Sequence, residues 1–292
     1  MYTKKIKKLE KKLGKIDLIL SNFTSTRPFL SKRLEKNTYY WLHFDYKNSL
    51  ENKKKQSKKE FIKFKKKLYK KHTDKNIICV SRGAEETLLN YIQAKPSSSQ
   101  VIYNPFDINQ IRSLARASNP EIPSKPYILH PARFDIAQKR HDILFQAFSQ
   151  LKTNHLLVLL TKESEKLTAL IKEYKLSDRV IVSGFQHNPY PWFKQANLTV
   201  LSSDWEGLPS VIIESLAVGT PVVSTDCPSG PREILTEELS QWLTPIRDPE
   251  SLAQKIAKAL ESNIQIQSTA ITPFSDKEIL KQYIQLTQPI TS

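Results

Sequence analysis

The 292-residue sequence predicts an α/β protein of two doubly wound, Rossmann-like parallel-sheet domains, the first of them incomplete. Three observations predict it. Apolar runs of strand length alternate with stretches of helical periodicity, the pattern of parallel strands joined by crossover helices. The alternation pauses at Asn119-Pro120-Glu121-Ile122-Pro123-Ser124-Lys125-Pro126, with three prolines in eight residues, and then restarts. The charge balance changes too: residues 1–75 hold 24 Lys/Arg against 7 Asp/Glu, and the other 217 hold 21 against 22. The expected domains are a short basic one, 1–122, and a second, 123–292, that ends in a terminal helix.

In chain order, Lys4 to Lys15 sets Ile6, Leu9 and Leu13 among lysines at helical spacing and predicts a basic amphipathic helix. Asp17 to Ser21 predicts a buried strand, Arg27 to Lys36 a helix, and Thr38-Tyr39-Tyr40-Trp41-Leu42-His43 a second strand that ends in a histidine. Residues 51–75 predict one lysine-rich helix with Phe61, Phe64 and Leu68 on one face. Asn76 to Val80 and Gln100 to Tyr103 predict strands, with a helix opening at Ser81 between them. Beyond the prolines, strands are expected at 127–131, 155–160, 179–183, 197–202 and 221–224. Ile143, Leu144, Ala147, Phe148 and Leu151 mark the clearest apolar helix face.

Composition excludes several classes. Two cysteines, Cys79 and Cys227, make no disulfide framework and fit a reducing cytosol. The lysine-rich start has no apolar core of a signal peptide, and no apolar run reaches the roughly 18 residues of a membrane span. The six histidines lack metal-ligand spacing, so no metal is expected. The net charge of +16 points, through its basic first quarter, either to a solvated lysine-rich face or to an anionic partner such as a membrane surface, a glycolipid or nucleic acid.

One stretch carries chemistry. Residues 202–234 read SDWEGLPSVIIESLAVGTPVVSTDCPSGPREIL. Glu206 sits on the loop after an apolar strand, and Glu214 about one turn into the helix that follows. Pro209 suits the first helical position, where a missing N–H costs nothing. The N–H groups and dipole of that first turn favour an anion. Two carboxylates beside an anion seat suit a sugar attached to a nucleoside diphosphate.

The stretch resembles the E-x7-E segment of the retaining GT-B glycosyltransferases of family four, the group 1 glycosyltransferases. Gly219-Thr220-Pro221-Val222-Val223 and Ser229-Gly230-Pro231-Arg232-Glu233 extend the likeness. It is dense over 120–292 and loose over 16–118. That family's first domain opens with a glycine-rich loop, which is missing here, so the first domain is expected to be truncated.

The resemblance implies a GT-B fold and assigns residues. Glu206 contacts the donor sugar and Glu214 the ribose hydroxyls, a role that suits an acceptor-only carboxylate. Pro131-Ala132-Arg133-Phe134 and Gln138-Lys139-Arg140 place Arg133 and Lys139 as the cations on the diphosphate, in place of a metal. The main chain of Leu208, Ser210 and Val211, around Pro209, contacts phosphate and sugar, and Gly184 lies under the base. His43 faces the sugar from the first domain.

The implied function is retaining transfer of a hexose or related sugar to a surface glycan: lipopolysaccharide, capsule or a lipid-linked oligosaccharide. The expected partners are a nucleotide sugar as donor substrate, a glycan or glycolipid acceptor and an anionic membrane surface, with no cofactor and no metal. The expected location is cytoplasmic, peripheral on the inner face of the cytoplasmic membrane. Two other readings stand beside this one. The short first domain suggests an inactive nucleotide-sugar-binding fragment. The basic quarter suggests a nucleic-acid binder, against which stands the lack of any recognised nucleic-acid motif.

Overall fold

A computed structural model describes residues 2–22 and 32–288. The chain divides into two compact units, residues 1–105 with 277–292, and residues 106–276.

The first unit holds α1 (Tyr2–Leu13), β1 (Ile19–Ser21), α2 (Lys32–Lys36), β2 (Thr38–Leu42), α3 (Lys47–Gln56), α4 (Lys58–His72), β3 (Asn76–Cys79), α5 (Arg82–Glu86) and β4 (Ser98–Val101). The four strands are parallel and lie in chain order, β1-β2-β3-β4. Period-two alternation sorts their side chains onto two faces. Tyr40, Leu42, Ile77 and Cys79 pack with Leu50 of α3 and Leu68 of α4. Tyr39, Trp41 and Ile78 pack instead with Ile279 and Tyr283 of the C-terminal helix, Asp276–Gln285.

The single helix expected over 51–75 is two helices. Ser57 leaves the helix at φ −164°, ψ 126°, and its hydroxyl accepts the Glu60 N–H at 3.4 Å. Ser57-Lys58-Lys59-Glu60 is a capping-box sequence, a signal that outweighs the unbroken run of helix formers around it. The helix expected from Arg27 falls partly on residues 23–31, which lie outside the described residues; Lys32–Lys36 is helical.

The second unit holds α6 (Ile108–Leu114), β5 (Tyr127–His130), α7 (His141–Ser149), β6 (Leu156–Leu159), α8 (Glu165–Glu173), β7 (Val180–Val182), α9 (Tyr190–Gln195), β8 (Leu198–Leu201), α10 (Ser210–Ala217), β9 (Val222–Thr225), α11 (Pro231–Ile234), β10 (Leu243–Thr244) and α12 (Pro249–Glu261). Its six parallel strands are ordered β10-β9-β8-β5-β6-β7. β5, β8 and β9 are buried along their whole length, as strands covered on both faces must be. From β5 the chain winds outward through β6 and β7, then returns to place β8 on the other side of β5. The strand order reverses between β5 and β8, and the crevice at the carboxyl ends of such a switch point is where these sheets bind ligands.

The division between units departs from the expected boundary at 122/123 and from the expected place of the terminal helix. α6 packs on α9 and α10, and Ile122 packs against the core of Tyr127, Trp192 and Phe193. The prolines of 119–126 thus lie within the second unit, in the loop that enters β5. The terminal helix goes with the first unit because Ile279 covers the sheet face that Ile78 would otherwise expose. No helix among the described residues is long and apolar enough to cross a membrane.

Candidate functional site

The carboxyl edge of the second unit's sheet carries a cavity of about 860 Å³. Phe134, Leu160, Phe185, Phe193 and Val211 give it apolar walls, with Arg133, Lys162, Glu163 and Glu214 as the charged groups among them. Thr161, after β6, fixes the loop after β5 by accepting the Phe134 N–H on its hydroxyl at 2.8 Å. Phe185 is 78% exposed and meets the His187 ring edge to face at 5.3 Å. It follows Gly184, whose φ of +73° lies in the left-handed region where glycine carries no Cβ penalty.

Glu214 reaches this wall from the second turn of α10. Burial pushes its carboxyl up to about 7. No cation pairs with it among the described residues. A carboxyl of this kind is half ionised at neutrality and has its hydrogen-bonding capacity available to a ligand. Tyr190's own burial and, after it, the nearby Glu214 charge push the Tyr190 hydroxyl upward.

Glu206 is built differently. Its side chain is 9% exposed and receives Lys139 Nζ, itself 14% exposed, at 2.6 Å. The two residues come from the loops that follow β8 and β5, and those loops are stitched together. The Ser202 hydroxyl donates to the Lys139 carbonyl at 2.7 Å, the Asp204 N–H to the Gln138 carbonyl at 2.8 Å, and Gln138 Nε2 to the Trp205 carbonyl at 2.9 Å. Ser229 supports the Glu206 carbonyl from below with its hydroxyl at 2.6 Å. Arg133 is the freer cation: its side chain is 65% exposed and, among the described residues, bonds Asp135, at 3.3 Å, and Gln138.

Behind the pair, Asp204 is 3% exposed and takes Arg140 Nη1 at 3.0 Å and Arg247 at 2.8 Å. Arg140 also binds Asp142 at 2.7 Å. Beneath the loops, His130 and His141 meet edge to face at 4.8 Å. His130 Nδ1 bonds the Val200 carbonyl at 2.7 Å. Burial holds both rings neutral, with His141 brought down to about 4.

The structure thus sorts the expected residues into groups. Arg133, Val211 and Glu214 line the cavity, and Gly184 precedes a residue that does. Lys139 and Glu206 meet each other. Leu208 is buried, Ser210 is the first residue of α10, and Pro209 is its N-cap with ψ 97° rather than its first helical residue. Pro231 does hold that first position in α11. His43 belongs to the first unit, at the end of β2; its exposed ring lies 3.1 Å from Asn22 Oδ1, and partial burial lowers its pKa. No group of three or more His, Cys, Asp or Glu residues placed to hold a metal occurs among the described residues.

Sequence reasoning missed Asp204, Arg140 and Arg247 as a unit. Arg140 stood in the Gln138-Lys139-Arg140 run and Asp204 at a strand end, but nothing near Arg247 marks it. Gly230 was visible as a motif residue without a reason. Its φ is +95°, and a Cβ there would collide with Pro209 Cδ and lie 3.0 Å from the Gly207 carbonyl oxygen. Gly230→Ala is therefore expected to lower unfolding free energy by about 2–4 kcal/mol, adding overpacking to left-handed strain. Urea unfolding that matches the parent within about 0.5 kcal/mol would show that the Glu206 loop does not depend on this contact.

A protein of Campylobacter jejuni, the N-acetylgalactosamine-N,N'-diacetylbacillosaminyl-diphospho-undecaprenol 4-alpha-N-acetylgalactosaminyltransferase, is 33% identical over 63% of this chain and 50% of its own length. The lipopolysaccharide 1,6-galactosyltransferase of Escherichia coli K12 is 28% identical over 70% of this chain and 58% of its own. The chain thus spans about half the length of the curated relatives it matches. Among solved structures, the Anabaena HepE protein in complex with UDP and glucose superposes with a TM-score of 0.71 at 20% identity, over 96% of this chain and 80% of that one. The fold is GT-B. Residues 111–272 match the family described as glycosyl transferases group 1 and cover the cavity, Glu206 and Glu214, so the chain belongs to the group 1 glycosyl transferases.

Proposed function

We propose that this chain transfers a hexose or related sugar from a nucleoside-diphosphate sugar to a lipid-linked surface glycan, with retention of configuration and without a metal. The observation that carries the reading is the cavity at the β5/β8 switch point, with Glu214 and Arg133 in its wall and the Lys139–Glu206 pair on the adjoining loops. An apolar, aromatic slot suits a base. A carboxyl with no ionic partner suits a ribose diol, and an exposed guanidinium suits a diphosphate. Both curated relatives are named for transfer of a sugar in glycolipid assembly, one to a diphospho-undecaprenol glycan and the other to lipopolysaccharide. HepE holds UDP and glucose on the same fold. Retention rests on the likeness of the E-x7-E stretch. The metal-free reading rests on fixed cations that can neutralise a leaving diphosphate.

The test is a panel of labelled nucleoside-diphosphate sugars incubated with the protein, EDTA and lipid-linked glycans. The expected result is label in the lipid fraction with the donor's anomeric configuration. Binding of a donor without transfer would leave the fragment reading; inversion, or rescue of activity by magnesium alone, would overturn those parts of the proposal.

The lysine-rich helices give the same reading a membrane side. α1 sets Leu9 and Leu13, 46% and 73% exposed, among lysines, and α4 exposes Ile62 at 52%. Basic helices with an exposed apolar stripe lie in bilayer interfaces, and each lysine near an anionic leaflet contributes about 1 kcal/mol. The protein is expected to sediment with anionic vesicles and not with neutral ones. Replacing Lys53, Lys54, Lys55, Lys58 and Lys59 by Gln is expected to weaken this at least tenfold while nucleotide affinity stays unchanged. Equal binding to both vesicle types would reduce the lysines to a solvated face.

A further inference from the structure

We infer that Asp204, clamped by Arg140 and Arg247, is a positioning residue that holds Glu206 over Lys139, an inference that rests on the role proposed above for Glu206. The carboxylate is almost fully buried, which is costly unless it is paired and hydrogen-bonded. It is paired twice. Arg140 comes from the loop after β5 with Nη1 3.0 Å from Oδ2 and 3.3 Å from Oδ1. Arg247 comes from the loop after β10, with Nε and Nη2 both 2.8 Å from Oδ2. Three loops that share no sequence contact therefore converge on one side chain.

Both arginines hold left-handed backbone, Arg140 at φ 52° and Arg247 at φ 59°. Non-glycine residues adopt that conformation at a cost and keep it where the surroundings impose it. The loops are bent to deliver two guanidinium groups to Asp204. The bends also set the neighbours of the clamp: Lys139 directly precedes Arg140, and Glu206 lies two residues beyond Asp204. The Asp204 N–H closes the arrangement on the Gln138 carbonyl at 2.8 Å. A small release at Asp204 would move both members of the Lys139–Glu206 pair.

Arg247 is the useful handle, because its side chain is 53% exposed and its loss opens no cavity. Arg247→Asn removes the charge while keeping a residue that tolerates left-handed φ. The decisive experiment is a double-mutant cycle on the full chain, with urea unfolding of the parent, Arg247→Asn, Glu206→Gln and the double variant. The factor by which Glu206→Gln changes the unfolding constant is expected to shrink at least fivefold when Arg247 is absent. Equal factors would overturn the inference, because the clamp would then support only itself. This reading needs no substrate, so it stands or falls separately from the proposed activity.

A second arm follows catalysis with whichever donor the panel identifies. Arg247→Asn is expected to lower kcat about tenfold with UDP affinity within twofold of the parent, and Arg247→Lys to restore at least half of the loss. A fall in UDP affinity with unchanged kcat, or a lower Tm with unchanged kcat, would contradict positioning.

Discussion

Lys139→Ala is expected to cost about 3–5 kcal/mol of unfolding free energy, because it leaves the Glu206 carboxylate buried without a counter-charge. A double variant, Lys139→Met with Glu206→Leu, removes both charges and is expected to recover most of that loss. Chemical denaturation of the three proteins decides it; a Lys139→Ala variant as stable as the parent would mean that Glu206 turns to solvent when freed. Glu206→Gln separates stability from catalysis. In the proposed role its carboxylate touches the reacting sugar, so turnover is expected to fall at least about 100-fold while affinity for the free nucleoside diphosphate of the proposed donor changes little. Loss of that affinity in proportion to turnover would move Glu206 from the sugar to the nucleotide. The pair also bears on Lys139 itself. A lysine already 2.6 Å from a carboxylate can reach a diphosphate only by sharing or leaving Glu206. In the proposed role, Arg133, 65% exposed in the cavity wall, meets the diphosphate without giving up a buried partner.

Glu214→Gln is expected to raise stability at alkaline pH while weakening nucleotide binding. The folded-state value of the carboxyl, about 7, lies above its ordinary 4.5. Folding therefore favours the protonated form, and stability is lost as pH rises from 4.5 to 7. The loss amounts to about 3 kcal/mol at 1.36 kcal/mol per unit. His141 acts in the opposite sense. Its folded value of about 4 lies below the ordinary 6.5, so its contribution is present above 6.5 and is lost as pH falls towards 4. The two slopes oppose each other between pH 4.5 and 6.5, and His72 and His130, both lowered by burial, add to the histidine side. Removing Glu214 uncovers the histidine limb. The stability difference between Glu214→Gln and the parent is expected to grow by about 3 kcal/mol from pH 4 to pH 8. A constant difference would show that the carboxyl is not desolvated. At pH 8 the same variant is expected to bind the nucleoside diphosphate of the proposed donor at least tenfold more weakly, since a hydrogen bond to a charged group contributes about 1.5–3 kcal/mol.

Much of the protein was legible in its residues alone. Five of the second unit's six strands were readable because each is a short apolar run of β-branched and aliphatic residues bounded by turn signals, and β5 to β9 lie where such runs predict them; the two-residue β10 carries too short a run to be read. Glu206 and Glu214 stood out because their motif is contiguous: the spacing, the prolines and Gly219-Thr220-Pro221 are local properties of one segment. The split of the lysine helix at Ser57 was also written locally, in a capping box that the surrounding lysines masked.

What the local pattern could not hold was decided by packing between distant segments. The proline-rich 119–126 read as a boundary because proline breaks elements, but whether a broken stretch joins domains or enters a core depends on what Ile122 meets, and it meets the second unit's core around Trp192. The terminal helix has the same amphipathic pattern whichever unit it covers; Ile78 and Ile102 settle that Ile279 belongs to the first. Lys139 and Glu206 are 67 positions apart, and Asp204 and Arg247 are 43 apart. Charge pairs of that kind leave no periodicity, because any lysine or aspartate beyond a strand end reads alike until parallel pairing aligns the ends of β5 and β8 and brings their loops face to face.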